Sequence, residues 1–380
     1  MTIISTLPKT TTVKQVPPRK IRKERYFGFP FVDDQDTENL IVNEAGQDAL
    51  NFFKKHVNVS NGSTAVVATT TRFNIDRLPK NKYHNIINLT WVNNYRWINK
   101  FFESVNTKLP IGGIFINKVE TYINRRERIV SKSFFPINWI HYGFDVLLHR
   151  VFPKVPLTKK LYFKITKGKN RVLSMAETYG RLYSCGFEIV DEQYIDGYLY
   201  FATRKIKAPF YPENPTYGPF IKLRRYGKDG NLFRVYKLRT MHAYSEYLQE
   251  FIYQKYNIGD GGKFKNDFRV TTEGRIFRKF WLDELPMLIN VFKGEMKIVG
   301  VRPLSSQYFN LYSEELKTER IKYKPGLIPP FYADLPSTLD EIMESEMRYL
   351  ESYKKSPFLT DLKYFFKAWT NILIHRARSA

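Results

Sequence analysis

Hydrophobic and polar positions alternate at two periods along this chain, 3.6 and 2, and the switches between them lay out its elements. Leu40, Ile41, Ala45, Ala49, Leu50, Phe52 and Phe53 recur at helical spacing and predict a helix over Asn39–Val57. Thr64–Thr70 and Asn85–Leu89 read as strands. Ile98, Phe101, Phe102 and Val105 place a helix over about Asn93–Lys108; Pro110 and Gly112-Gly113 end it, and Ile114–Val119 is a third strand. Ile137–Val151, bracketed by Pro136 and Pro153, carries Trp139, Ile140, Phe144, Leu147 and Leu148. It is either a core helix or one lying on a bilayer, and core packing is the expectation. Ser174 and Glu177 form a capping box for a helix that ends at Gly186. Phe187–Val190 and Tyr198–Arg204 follow as strands turning at Asp196-Gly197.

A linker rich in Pro and aromatics, Ala208–Pro219, separates the two halves. Beyond it, Phe220–Arg224 and Leu232–Leu238 predict a hairpin around Lys228-Asp229-Gly230, and Thr240–Tyr253 begins a helix. Gly259–Gly262 reads as a plain turn, because no helix follows it directly. A short helix has Pro286 in its first turn, an apolar stripe of Leu285, Leu288, Ile289 and Phe292, and a stop at Gly294. Met296–Val299 is a strand. Tyr308, Phe309, Tyr312 and Leu316 share a further helix, and Thr338 with Glu341 caps another that runs to about Tyr353. The last helix, Thr360 to about Arg376, is apolar over more than half its circumference and suits a membrane surface as well as a core.

Length and charge narrow the reading. At 380 residues two domains are expected. A net charge of +24 implies an anionic partner: nucleic acid, an acidic membrane surface or phosphorylated substrates. No C-x-x-C pattern or RNP-type aromatic motif accompanies it, so no nucleic-acid partner is expected. The single cysteine, Cys185, excludes an internal disulfide and reads as a buried core thiol. Residues 1–38 read as a disordered basic tail without a signal peptide, and no run of 18 apolar residues predicts a spanning helix.

The chemistry concentrates at residues 275–304. Asp283 and Glu284 are adjacent and follow Arg275, Arg278 and Lys279. Asp283 precedes a helix, where backbone N–H groups favour anions. A lone Asp there is most often only an N-cap. A second acid beside it, with cations close by, points to a phosphate-handling site that also holds a metal. Each basic residue could instead be a solvated surface charge, and His242 reads as a structural histidine.

Asp283-Glu284-Leu285-Pro286-Met287-Leu288, Asn290-Val291, Gly294-Glu295-Met296 and Val299-Gly300-Val301-Arg302-Pro303 resemble the catalytic block of the bacterial sugar transferases, the polyprenyl-phosphate glycosyl-1-phosphate transferases. Gly218-Pro219, Tyr236-Lys237-Leu238-Arg239-Thr240-Met241, Asp267 with Arg269-Val270-Thr271, Gly274-Arg275 and Lys324-Pro325-Gly326-Leu327 match further segments in order, so the resemblance covers about residues 216–330. Met287 stands where the family has Gln and Val301 where it has Pro, and no apolar re-entrant helix precedes Gly218.

The resemblance implies transfer of a sugar 1-phosphate from a UDP-sugar to a polyprenyl phosphate, with release of UMP, at the start of exopolysaccharide or glycoconjugate synthesis. It assigns Asp283 as nucleophile and Glu284 as Mg²⁺ ligand. Arg302 would hold the diphosphate, with Lys237, Arg239, Arg269, Arg275 and Arg278 as further phosphate contacts. Residues 39–207 resemble, more weakly, the second half of a Rossmann-like methyltransferase, through Leu109-Pro110-Ile111-Gly112-Gly113 and Gly186-Phe187-Glu188-Ile189. No G-x-G pattern follows a strand in residues 39–110, so this half is read as an accessory domain without methyl transfer.

The expected fold is therefore α/β: a Rossmann-like accessory domain (39–207), then an α+β catalytic domain (208–380) with amphipathic C-terminal helices. The expected location is the cytoplasmic face of the bacterial inner membrane, peripheral or monotopic, on an anionic surface; a homo-oligomer is compatible. A catalytically silent scaffold of a membrane glycan assembly machine is the alternative from another class.

Overall fold

The computed structural model describes residues 34–211, 217–255 and 267–373. The first 33 residues of the tail, the 259–262 loop, most of the linker's centre (212–216) and Arg376 lie outside these.

The N-terminal half runs α1 (Asp34–Ala45), α2 (Gln47–His56), β1 (Thr64–Val67), α3 (Arg72–Asp76), β2 (Asn85–Asn88), α4 (Ile98–Lys108) and β3 (Ile114–Val119). It continues with α5 (Tyr122–Val130), α6 (Ile137–Val146), α7 (Pro156–Thr166), α8 (Met175–Ser184), β4 (Phe187–Ile195) and β5 (Tyr198–Lys205). The single helix expected over 39–57 is two, because Gly46 adopts φ +87 between them. α1 also starts inside the stretch read as tail, and Glu38 pairs with Lys54 at 2.7 Å.

Five strands form one sheet in the order β1-β2-β3-β5-β4, parallel through β3 and antiparallel beyond. Period-2 alternation splits their side chains. Ile86, Phe115 and Phe201 pack with α4 and α8; Ile87, Ile116, Tyr200 and Ala202 pack with α2. The result is three layers, with helices on both faces. Asp196 and Gly197 both have positive φ, as a two-residue hairpin turn demands. Ser174 caps α8, its hydroxyl accepting from the Glu177 amide at 3.0 Å. Cys185 is buried, and burial pushes its thiol up to about 12.

Ile137–Val151 is helical but not a core element. α6 passes into a five-residue π turn, Leu147–Val151, and Trp139 and Phe144 are 50% and 68% exposed. Leu157, Leu161 and Ile165 on α7 extend the exposed apolar surface. The expectation of core packing fails because the sheet's faces are already covered by α2, α4 and α8.

The C-terminal half begins with the hairpin β6 (Phe220–Tyr226) and β7 (Leu232–Leu238), then α9 (Gln249–Lys255), α10 (Thr272–Lys279), α11 (Leu288–Phe292) and β8 (Lys297–Val299). It continues with α12 (Ser306–Asn310), α13 (Glu314–Arg320), β9 (Gly326–Ile328), α14 (Phe331–Asp334), α15 (Leu339–Lys355) and α16 (Pro357–Leu373). β8 and β9 pair in parallel, and a core of Val235, Met287, Val299, Leu316, Ile328, Tyr349 and Ala368 joins these elements. The helix expected after Pro303 is split, because Ser313 caps a new start. No described helix is long and apolar enough to cross a membrane.

The two halves share a core. Residues 245–248 form a 3-10 turn leading into α9, and Leu248, Phe251 and Ile252 are buried among α4 and α8 residues of the N-terminal half. Tyr244 accepts a hydrogen bond from Asn99 Nδ2 at 3.0 Å, and the Arg181 guanidinium lies 4.5 Å from its ring centroid. A Cβ on Gly180 would stand 2.2 Å from the Tyr244 carbonyl oxygen. Alanine normally favours a helix by about 1 kcal/mol over glycine. Here backbone must move, so Gly180→Ala is expected to lower stability by about 1–3 kcal/mol, the usual cost of overpacking. A fall in the urea midpoint is the expected reading; an unchanged or higher midpoint would show that α8 and Tyr244 are not tightly packed.

Candidate active site

Four elements build the site. β7 supplies Lys237 near its end. The turn after α10 supplies Asp283 and Glu284. The segment after β8 supplies Arg302, and β6 supplies Arg225.

The turn is fastened to the strand by backbone: the Leu238 amide donates to the Asp283 carbonyl at 2.9 Å. Asn290, fully buried in α11, donates to the Arg234 carbonyl at 2.8 Å and accepts from the Tyr236 amide at 3.1 Å. Trp281 enters the turn at φ +62, a left-handed conformation that costs a bulky residue roughly 1–2 kcal/mol. Its indole N–H donates to the Tyr332 hydroxyl at 3.0 Å, which holds it there. Such strain concentrates at functional turns.

The apolar stripe of α11 is divided, and Leu288 packs against the C-terminal core. Leu285, Ile289 and Phe292 are exposed, Phe292 at 88%, while Met287 and Asn290 face the core. The 3-10 turn Leu285–Met287 leads directly into α11.

Asp283 and Glu284 are both buried. Glu284 Oε1 accepts from Lys237 Nζ at 2.6 Å. Asp283 Oδ1 has no hydrogen-bond partner among the described residues, and no side chain caps the 3-10 turn that follows. The N-cap reading therefore gains no support. Burial first, and the neighbouring Glu284 charge second, hold the Asp283 carboxyl above its ordinary value, against the opposing pull of Lys237 and Arg278.

A cleft of about 320 Å³ opens beside this turn, lined by Arg225, Lys237, Glu284, Arg302, Tyr308 and Phe331 among others. The Arg302 carbonyl accepts from Arg320 Nη2 at 2.5 Å, and Arg320 faces buried Glu346 at 3.4 Å, which secures the backbone. A Cβ on Gly326 would lie 2.0 Å from the Gly300 amide nitrogen, so the β8–β9 approach that aims Arg302 requires glycine. The Arg302 guanidinium has no hydrogen-bond or carboxylate partner among the described residues. Burial and the nearby Arg302 charge both push Arg225 below its ordinary value. Two arginines facing one cleft make a site for a doubly charged anion, since guanidinium groups bind phosphate bidentately.

Arg225 escaped the sequence reading. Its signal was the hairpin register: Arg225 pairs with Phe233, so it shares a face with Val235 and Lys237. The other assigned cations are placed differently. Arg278 Nε donates to Thr240 Oγ1 at 3.0 Å, within electrostatic reach of Asp283. Arg269 pairs with Asp267 at 2.7 Å, and Arg239 donates to the Gly218 carbonyl at 2.9 Å. Arg275 is exposed on α10. None of these four lines the cleft. His242 is buried beside Tyr122, and burial pushes it down to about 4.

Asp283 and Glu284 are the carboxylates that could hold a divalent ion. No group of three or more His, Cys, Asp or Glu gathers among the described residues. Two carboxylates, one with an unpartnered oxygen, still suit Mg²⁺, which usually takes one or two carboxylates together with substrate phosphates.

Comparison with known proteins places this site in a recognised sequence context. Residues 212–375 match the family model described as "Bacterial sugar transferase". The galactosyl transferase CpsE of Streptococcus agalactiae is 31% identical over 141 residues, 36% of this chain and 31% of that protein. The uncharacterized sugar transferase EpsL of Bacillus subtilis is 37% identical, over 28% of this chain and 47% of its own length. The undecaprenyl-phosphate galactose phosphotransferase of Salmonella typhimurium is 39% identical, over 27% and 23%. The chain thus spans less than half the length of each of these relatives. A Thermus thermophilus 16S rRNA N2 G1207 methyltransferase solved with AdoMet and guanosine matches at 11% identity over 50% of this chain and 37% of its own, with a TM-score of 0.16, too low to carry an argument.

The raised Asp283 carboxyl has a consequence for stability. An unfolded Asp titrates near about 3.9. Because the folded value is higher, the fold holds the proton more tightly, and stability falls as pH rises from the unfolded value through the folded one. Asp283→Asn removes that loss. The variant should match wild type near about pH 4 and exceed it in urea midpoint near about pH 7. A variant less stable than wild type at neutral pH would make the carboxylate structural.

Proposed function

We propose that the bacterial sugar transferase domain of this chain, residues 212–375, moves a sugar 1-phosphate from a UDP-sugar to a polyprenyl phosphate through a covalent Asp283 intermediate. The observation that carries this reading is the buried Asp283 oxygen with no partner, beside the Lys237–Glu284 pair and a cleft holding Arg225 and Arg302. A cap or a structural carboxylate would be hydrogen-bonded; a nucleophile must keep a lone pair free. This also favours an enzyme over a silent scaffold.

In the proposed reaction the ionised Asp283 attacks the phosphorus that bears the sugar. A P–O bond forms to the carboxylate, the P–O bond to UMP breaks, and UMP leaves with the electron pair. A phosphate oxygen of the lipid then attacks the same phosphorus and expels the carboxylate. Arg302 and Arg225 hold the diphosphate and offset charge that grows on the leaving phosphate. Lys237 orients Glu284 and neutralises part of the charge beside Asp283. A Mg²⁺ held by Glu284 and Asp283 with substrate phosphates would supply further charge neutralisation.

The same reading gives the exposed apolar surfaces a use. α6, its π turn and α7 present Trp139, Phe144, Leu157 and Ile165, and Lys159, Lys160 and Lys164 stand among them. The π turn joins the transferase half directly: Arg150 pairs with Glu273 at 3.0 Å, in the first turn of α10. Ile276 on α10 and Phe280 just past its end then expose apolar side chains, and Phe358, Leu362, Phe366 and Trp369 do so on α16. We read these as peripheral docking on the cytoplasmic leaflet of the bacterial inner membrane, where the lipid acceptor resides.

UMP release from a panel of UDP-sugars with polyprenyl phosphate and Mg²⁺ tests the reading. Asp283→Asn is expected to cut turnover by ~10³-fold or more, and Arg302→Gln by ~10²-fold or more. The donor alone should leave a sugar phosphate on the wild-type protein, seen by intact mass. The acid limb of the rate profile should lie above the ordinary carboxylate range, because Asp283 must ionise from a raised value. Undiminished turnover by Asp283→Asn would rule out the covalent step, and no release from any donor would rule out the transferase reading.

Flotation with anionic vesicles tests the docking. Each Lys or Arg near such a surface contributes about 1 kcal/mol, so flotation should succeed at low salt and weaken as salt rises. Replacing Trp139 and Phe144 with Ser should reduce it. A protein that stays in the soluble fraction at low salt would sink this part of the reading.

A further inference from the structure

A second cleft, about 1070 Å³, lies where the N-terminal half meets Tyr217 and Ala243–Tyr244. It shares no lining residue with the 320 Å³ cleft beside Asp283. Nine Lys and Arg side chains line it against two glutamates. Both glutamates are already engaged, Glu103 by Lys100 at 2.8 Å and Glu177 by Arg181 at 2.7 Å. The other seven cations form no ion pair with a carboxylate among the described residues, and Lys154 and Arg171 share the single Glu177 charge with Arg181.

The placement of these charges matters more than their number. Lys160 and Lys164 stand one turn apart on α7, and Lys167 follows at its end. Lys154 and Arg171 sit deeper, and burial pushes both below their ordinary values. The Arg171 guanidinium is 5.6 Å from the Phe163 ring centroid and is repelled by Arg181. Keeping partly desolvated cations in excess over the carboxylates beside them costs free energy, and an anionic ligand would recover it. At the rim Trp97 is 65% exposed, with Arg96 5.4 Å from its ring centroid. Tyr211, also at the rim, is 58% exposed. Exposed rings beside a cationic floor match a ligand with a planar head and several phosphates, since stacking on an aromatic ring contributes about 1–3 kcal/mol per base. The enclosed volume suits a small molecule and not a polymer strand.

We propose that this interdomain cleft binds a free nucleoside polyphosphate, with its base on Trp97 and its phosphates among Lys154, Arg171 and the α7 lysines. The site is separate from donor binding. Its ligand would rest on Tyr217 and Tyr244, which tie the two halves together through Arg181.

Calorimetry on the full chain with ATP, inorganic pyrophosphate and adenosine tests this. ATP should bind, pyrophosphate more weakly, and adenosine undetectably. Arg171→Gln should weaken ATP at least 10-fold. Lys160→Gln with Lys164→Gln, both exposed positions that tolerate change, should weaken it at least 3-fold. Trp97→Ala should weaken ATP and leave pyrophosphate unaltered. Arg302→Gln should leave ATP binding unchanged, because that residue belongs to the other cleft. The inference is overturned if ATP does not bind at millimolar concentration, or if Arg302→Gln abolishes binding while Arg171→Gln does not. Pyrophosphate as tight as ATP would overturn the nucleotide in favour of a bare polyanion. Displacement of ATP by glycerol phosphate, a headgroup without its tails that cannot act through membrane docking, would overturn it in favour of a lipid headgroup.

Discussion

Two carboxylates sit side by side in a buried turn, and a single ammonium group makes that tolerable. Lys237 reaches Glu284 at 2.6 Å and leaves Asp283 without a matching partner. Much of the C-terminal half serves to keep this unequal arrangement. β7 delivers Lys237, Asn290 pins that strand to α11, and Trp281 accepts an unfavourable backbone conformation held by Tyr332. Glu346 and Arg320 steady the backbone of Arg302 from behind. Each of these costs something locally. Together they hold one carboxylate partly desolvated, with one of its oxygens left without a partner.

Local signals were read well from the chain. Asp196-Gly197 announced a hairpin, Ser174 and Thr338 announced helix starts, and the Asp283-Glu284 pair with Arg302 marked a candidate site whose parts the fold brings near one another. What escaped depended on distant partners. Arg225 and Arg224 look alike in sequence; only the register against β7 puts Arg225 in the cleft. Nothing marks Trp281 as left-handed, since no residue preference predicts a bulky side chain there. β9 is three residues long and needs β8, far off in the chain, to exist. Arg239 and Arg269 carry the right charge in matching segments, yet one holds the linker and the other its own Asp267.

Apolar periodicity misled at one helix. In α6 it was read as a sign of core packing, and the structure leaves the apolar side exposed; the stripe on α11 is divided between core and surface. Periodicity reports that one face differs from the other, not which solvent that face meets. The π turn after α6 and the 3-10 turn before α11 have no sequence signature. Exposed apolar faces on helices that also carry Lys and Arg are what an interface between water and lipid would select.

The packing of Leu248, Phe251 and Ile252 into the N-terminal half has a bearing on how such a chain can be divided. The linker at 208–219 looks like a place to cut, yet the N-terminal core is completed by residues that come after it. A fragment ending at the linker would carry a hole lined by α4 and α8, and the complementary fragment would bare three large apolar side chains. Exchange of the C-terminal half with that of a relative would have to carry a matching 243–255 segment. The halves therefore share one core: a change of side-chain size on α8 must be met on the segment after β7, although the chain between them reads as a domain boundary.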